Sequence, residues 1–158
     1  MVSAGQPLPA FTATAAVSGT RIDNAWLAGR KAILVVHGAK TADAAKGVSK
    51  ELHARGLTGK VAFVSVVDLR SMAGLWRKVA EAQVKSTYGK LAAKAEDAGM
   101  DPAQVVVICP DFDGAVVGAL GVAQPDSDPQ VIVADANGKV LGVFSAKGPA
   151  GAPVDLVA

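Results

Sequence analysis

Lys31-Ala32-Ile33-Leu34-Val35-Val36-His37-Gly38-Ala39-Lys40-Thr41-Ala42-Asp43-Ala44 is the stretch on which the fold turns. Ala32 to Val36 is an unbroken apolar run, the pattern of a central strand covered on both faces. The run stops at His37-Gly38. Thr41 then stands where a helix N-cap would stand, with Asp43 in the first turn, and a helix is predicted to about Arg55. Gly56 ends it. A second apolar run, Val61-Ala62-Phe63-Val64-Ser65-Val66-Val67, completes a βαβ unit, which is expected to be parallel and right-handed.

Working outward, residues 10–23 read as a short hairpin: Phe11 to Val17, a Ser18-Gly19 turn, then Thr20 to Ile22. From 71 to 98 the pattern turns helical, with Met72, Leu75, Trp76, Val79, Ala82 and Gln83 at three- and four-residue steps. Gly89 is read as a break in that helix and Gly99 as its end. Val105 to Ile108 reads as a third strand, and 112–120 as a short helix or turn. Gln130 to Ala134 and Lys139 to Phe144 flank Asn137-Gly138, a strong hairpin signal. No repeat or linker is visible, so residues 1–158 are expected to form one α/β domain, a central mixed sheet flanked by helices, with 1–8 and 148–158 loosely held.

Composition narrows the function. The chain is 51% hydrophobic but only 4% aromatic, which suits close packing of helices on a sheet. No apolar stretch is long enough for a membrane span, and Met1 to Pro7 lacks the charged and apolar regions of a secretory signal. The single cysteine, Cys109, excludes an internal disulfide. These features lead to an expected cytoplasmic location. Through Ala95 there are 14 Lys/Arg against 5 Asp/Glu, net +9; from Glu96 there are 2 against 9, net −7. Such asymmetry is either a bipolar solvated surface or a basic face for an acidic partner or a second copy. The basic residues are not interleaved with aromatics, which argues against a nucleic-acid platform.

The order of elements resembles the thioredoxin-like superfamily, and its peroxiredoxin branch in particular. Pro9-Ala10-Phe11 with Gly29 to Val36 is similar to that family's entry hairpin and first core strand. Asp111-Phe112-Asp113-Gly114 followed by Ala119-Leu120-Gly121-Val122 resembles its D-x-x-G … Y-G-V segment. Asp128-Pro129 before a strand resembles its cis-proline, and Asp135 to Val140 its terminal hairpin. The resemblance implies a thioredoxin-like fold with a helical insertion at about 71–98. It also implies where the chemistry should sit. A redox-active member needs a thiolate at the N-terminus of the first helix, where free N–H groups lower its pKa. A C-x-x-C site would fall on Thr41 and Ala44. The pattern P-x-x-x-T-x-x-C would fall on Leu34, Gly38 and Thr41, and the family's peroxide-polarising arginine near Leu141. All these groups are missing, and a threonine hydroxyl without a base is no substitute for a thiolate.

The expectation is therefore a degenerate, redox-inactive member with no catalytic residues and no cofactor, acting as a binding or protein-interaction module. His37, Gly38, Lys40 and Thr41, with the loop at Asp128 and Pro129, form one candidate region, for a small anion or a peptide backbone. An ordinary capped loop is the alternative. Trp76, Arg77 and Tyr88 in the inserted helix form another, for a protein partner or a homodimer; Arg70, Lys78, Lys85, Lys90 and Lys94 make it basic, with Glu81 the lone acid before Glu96. The alternative there is a helix packed on the sheet with a solvated basic face. Competing functions are an enzyme with thiol chemistry relocated to Cys109, or a small-ligand or haem carrier, since Cys109-Pro110 is a dipeptide of some haem-responsive proteins. A small buried residue at a strand end is the plainer reading of Cys109. His37 and His53 lack metal-site spacing, and Asp111, Asp113, Asp126 and Asp128 read as turn formers, so no metal is expected.

Overall fold

In the computed structural model, which describes residues 2–158, the run that opens the sequence is the middle of the molecule. β3 (Ala32–Gly38) is buried at every position and lies at the centre of a five-stranded sheet. On one side it pairs in parallel with β4 (Ala62–Asp68), from Ala32 opposite Ala62 to Gly38 opposite Asp68. β5 (Ile108–Asp111) continues the parallel set beyond β4. On the other side β6 (Gln130–Ala134) and then β7 (Val140–Ser145) are antiparallel, giving the order β5-β4-β3-β6-β7. The sheet is mixed, as expected.

Alternation along the strands feeds two layers. Ile33, Val35, Val131 and Val133 point to one face, where they meet Val48 and Leu52 of α2 (Asp43–Ala54) and Val154 of α6 (Gly151–Asp155). Leu34, Val36, Val64, Val66 and Ile132 point to the other. That face is covered by the hairpin β1 (Thr12–Thr14) and β2 (Arg21–Asp23), by α1 (Asn24–Leu27), and by Val116 and Val117 of α5 (Ala115–Ala119). Each such side chain removed from water contributes about 1.5–3 kcal/mol. α3 (Leu75–Asp97) lies outside both layers, packing through Ala80, Val84, Tyr88 and Ala95 on a small cluster around Val67, Leu69 and Ile108.

Several expectations are corrected. The third strand begins at Ile108, not Val105, because Asp101 caps a single helical turn, α4 (Pro102–Val105), by accepting from Ala103 N, with Pro102 at the favoured first position. Cys109 and Pro110 therefore lie inside a strand rather than after one. An edge strand tolerates the proline. Gly89 does not break α3, which runs through it; an exposed helical glycine costs only about 0.5–1 kcal/mol. The N-terminal hairpin is shorter than expected, its long turn carrying Val17 at φ 70° while Ala16 N donates to Ile108 O.

The chain ends, expected to be loose, are packed. Val2 and Leu8 are buried, and Gly5 N and Leu8 N donate to Val140 O and Gly138 O beside β7. At the other end Val154 and Val157 are buried, and Arg55 bonds both Glu51 of its own helix and Asp155 of α6. Small apolar residues in a Gly/Pro/Ala-rich tail suffice for that docking. The Asp128–Pro129 bond is trans, as are all peptide bonds among the described residues, so the cis-proline implied by the resemblance is absent. The chain turns here by other means: Ser127 N and Asp128 N both donate to Gln124 O, at 3.2 and 2.7 Å.

Candidate functional site

The parallel strands end in a row, Gly38, Asp68 and Asp111, each opposite the next. The carboxyl ends of such strands are where open α/β sheets place their ligands. After Gly38 the chain makes a 3₁₀ turn, Ala39–Thr41, and enters α2. Thr41 is not the N-cap of α2; Ala42 holds that position without a side-chain bond. The Thr41 hydroxyl instead closes the turn, accepting from Gly38 N at 2.8 Å, and reaches across the molecule to donate to Pro125 O at 2.9 Å. Asp126, next in that loop, accepts from Lys40 N at 3.3 Å. The anion that this turn could bind is thus the chain's own carboxylate. Gly38 is required there: a Cβ would collide with the Asp126 carboxylate and stand 2.9 Å from its Cα.

His37 is 3% exposed. Its Nδ1 lies 2.8 Å from Gly38 O and its Nε2 2.8 Å from Ser65 Oγ. A carbonyl only accepts, so Nδ1 carries the proton and Nε2 accepts from the Ser65 hydroxyl in the neutral ring. Burial pushes the imidazole below its ordinary value, against the Gly38 bond and the Asp126 charge, which favour the cation. His37 is a satisfied core histidine facing no solvent. The sequence signal for Ser65 is a hydroxyl inside a β-branched strand, which calls for a buried partner.

The other end of the row holds an ion pair. Arg70 Nε and Nη2 donate to the two Asp68 oxygens at 3.0 and 2.9 Å, and Arg70 N to Oδ1 at 3.1 Å. Burial would raise the Asp68 carboxyl, but these bonds outweigh it and hold it below its ordinary value. Asp111 is buried and pushed up by that burial, although its Oδ2 accepts from Val117 N at 2.9 Å in α5. Asp113 accepts from Ala115 N at 3.0 Å. Asp113 forms the turn, as expected; Asp111 instead ends β5 and holds the start of α5 with its buried carboxylate.

The remaining candidates separate. Ala44 is half-buried against the α2 layer and offers only a methyl group. Asp128 is exposed, and Pro129 is buried with its carbonyl accepting from Ala146 N. On α3, Trp76 is 69% exposed and points away from the domain, whereas Tyr88 packs inward. Arg77 also turns inward, with its guanidinium 4.8 Å from the centroid of Phe112. The three do not share a face. Cys109 is 1% exposed within the hydrophobic layer, and burial pushes its thiol up to about 12. An open recess of about 410 Å³ lies beside Thr14, Ala16, Pro110 and Asp113, and a smaller one of about 80 Å³ between α2 and α6. Among the described residues no three His, Cys, Asp or Glu converge on a possible metal site, and no helix is long and apolar enough to cross a membrane.

No protein-family model and no curated protein matches the chain. Solved structures do. The thioredoxin domain of a thiol-disulfide oxidoreductase from Bacteroides vulgatus aligns over 100% of both chains with TM-score 0.61 at 14% identity. The exposed lipoprotein thioredoxin of Streptococcus pneumoniae aligns over 94% of this chain and 97% of its own, with TM-score 0.63 at 14% identity. A peroxidoxin from Mycobacterium tuberculosis aligns over 99% and 94%, with TM-score 0.59 at 17% identity. The fold is thioredoxin-like.

Proposed function

We propose that this chain is a redox-inactive thioredoxin-like domain, related to the peroxiredoxins, that works by binding a protein partner. The observation that carries the reading is Thr41. It occupies the position at which the resemblance expects the attacking cysteine, and its hydroxyl is committed to Gly38 N and Pro125 O. Its hydrogen-bond partners are all backbone groups, and it serves as a staple between two loops. Relocated chemistry is opposed by Cys109, whose burial leaves it protonated at neutral pH and out of reach of a disulfide, a peroxide or a haem iron.

Recognition of a peptide at the Pro129 loop has little support, since Asp128 N is already bonded to Gln124 O and Asp126 fills the neighbouring turn. That leaves α3 as the surface that favours a partner. A cytoplasmic location belongs to the same proposal: one buried cysteine needs no oxidising compartment.

The test is turnover. Disulfide reduction with dithiothreitol as donor, and peroxide consumption, are expected to stay at the protein-free rate for the wild type and for Cys109→Ser alike. Turnover abolished by Cys109→Ser would overturn the inactive reading and install the relocated-thiol enzyme.

A further inference from the structure

We infer that the outward face of α3 docks an acidic amphipathic segment of a partner protein, an inference that rests on the binding-module reading. Six large hydrophobic side chains are exposed among the described residues; three of them, Leu75, Trp76 and Val79, start this one helix, while its Leu91, at 38%, falls on the packed side. The three fall within its first turn and a half, at 74%, 69% and 50% exposure. They are not needed to hold α3 in place, because Ala80, Val84, Tyr88 and Ala95 face the domain.

At about 100° per residue, Leu75, Val79, Ala82, Ser86 and Ala93 form a stripe opposite that packed side. Lys78 and Lys85 flank the stripe on one side, Lys90 and Lys94 on the other. Before the last turn no acid stands on this outward arc, since Glu81 lies toward the packed side; Glu96 and Asp97 bring acids onto it only at the helix end. The helix start adds an independent signal. Gly74 supplies no side-chain cap to α3 and the first turn contains no acidic residue. Its free N–H groups and positive dipole end sit beside Leu75 and Trp76 and suit a carboxylate from outside.

Charge selects the occupant. Two copies of this face would set four lysines against four, which disfavours a self-pair. A membrane would gain little, because beyond Val79 the stripe is Ala82, Ser86, Gly89 and Ala93, with almost no apolar area to insert. A short amphipathic segment with Leu or Ile to meet Leu75, Trp76 and Val79 and Glu to meet the lysines satisfies all three features: apolar start, lysine flanks and open N-terminus.

The test titrates the full chain with a synthetic helical peptide carrying Leu on one face and Glu at the flanking positions. The same peptide with Lys for Glu, and vesicles of mixed neutral and anionic lipid, are the comparisons. Saturable binding of the Glu peptide is expected, weakening as salt rises, with at least tenfold loss for the Lys peptide. Trp76→Ala and Val79→Ser should each weaken binding about tenfold or more without moving the unfolding midpoint. Lys78→Glu combined with Lys85→Glu should lower affinity for the Glu peptide and raise it for the Lys peptide. Absence of binding, equal binding of both peptides, preference for vesicles, or a dimer that buries Trp76 would each overturn the inference. Turnover measured on the same preparations keeps the two readings apart: a Cys109-dependent rate defeats the inactive reading whatever the peptide does, and failed docking leaves inactivity standing.

Discussion

Replacing Thr41 by valine removes one oxygen and keeps the shape, so it isolates what that hydroxyl does. Two groups lose their partner: Gly38 N, which donates to it at 2.8 Å, and Pro125 O, which accepts from it at 2.9 Å. A neutral hydrogen bond contributes about 0.5–1.5 kcal/mol net, and a buried group left unpaired costs about 1–3 kcal/mol. Thr41 is half-buried, so water can reach part of the site and the lower ends of both ranges apply. The loss is about 2 kcal/mol, roughly a 30-fold change in the folding equilibrium and about 4–8 °C in Tm for a domain of this size. Urea unfolding followed by tryptophan fluorescence measures it directly. Thr41→Ser keeps the oxygen and should lose less than about 1 kcal/mol. A Thr41→Val protein within about 0.5 kcal/mol of wild type, or a serine variant as damaged as the valine one, would refute the staple and reopen the search for another role at this position.

Gly38→Ala forces a methyl group against Asp126 and should cost about 1–3 kcal/mol; in an Asp126→Ala background the cost should shrink, and strict additivity in a double-mutant cycle would show that the two residues do not meet. His37 makes stability depend on pH with a definite sign. Its folded pKa is depressed below 6.5, so the unfolded chain takes up the proton first. The stability it contributes is whole above about pH 6.5 and is lost as pH falls through the folded value. His37→Gln should flatten the wild-type decline seen by denaturant titration at successive pH values. Asp111, whose raised carboxyl acts in the opposite sense, is common to both proteins; an unchanged slope would dismiss the account.

What could be read from the residues was local pattern. Ala32 to Val36, Ala62 to Val67 and the pair around Asn137-Gly138 carry their structure in their own periodicity and turn chemistry, and they make up most of the sheet. The third strand slipped by three residues because Val105, Val106 and Val107 are as apolar as Ile108, while the deciding bond, Asp101 to Ala103 N, lies upstream of the run. At the candidate site the sequence singles out residues but not the bonds they make. The resemblance singles out Thr41, yet its partner Pro125 is 84 residues away, a distance no short-range pattern spans. Asp126 filling the turn at Lys40 N and the bond of Ser65 to His37 are likewise products of the folded sheet. On α3, helical spacing puts Trp76 and Tyr88 on one element, but only the packing against Val67 and Ile108 shows that Tyr88 lies on the covered side and Trp76 off it.

The docking of α6 against α2 bears on when this protein can fold. Ile33 and Val133 belong to the same hydrophobic layer although 100 residues separate them, and Val154 and Val157, which complete its cover beside Val48 and Leu52, lie further along the chain still. β3 can pair with β4 and be partly covered by α2 from local sequence alone, but the layer is complete only when β6 and α6 join it. Closing such distant contacts last makes for slow folding and a long exposure of apolar strands. Long-range closure therefore governs how this domain folds: a chain in which β3, α2 and β4 have come together still shows apolar strand surface until β6 and α6 dock.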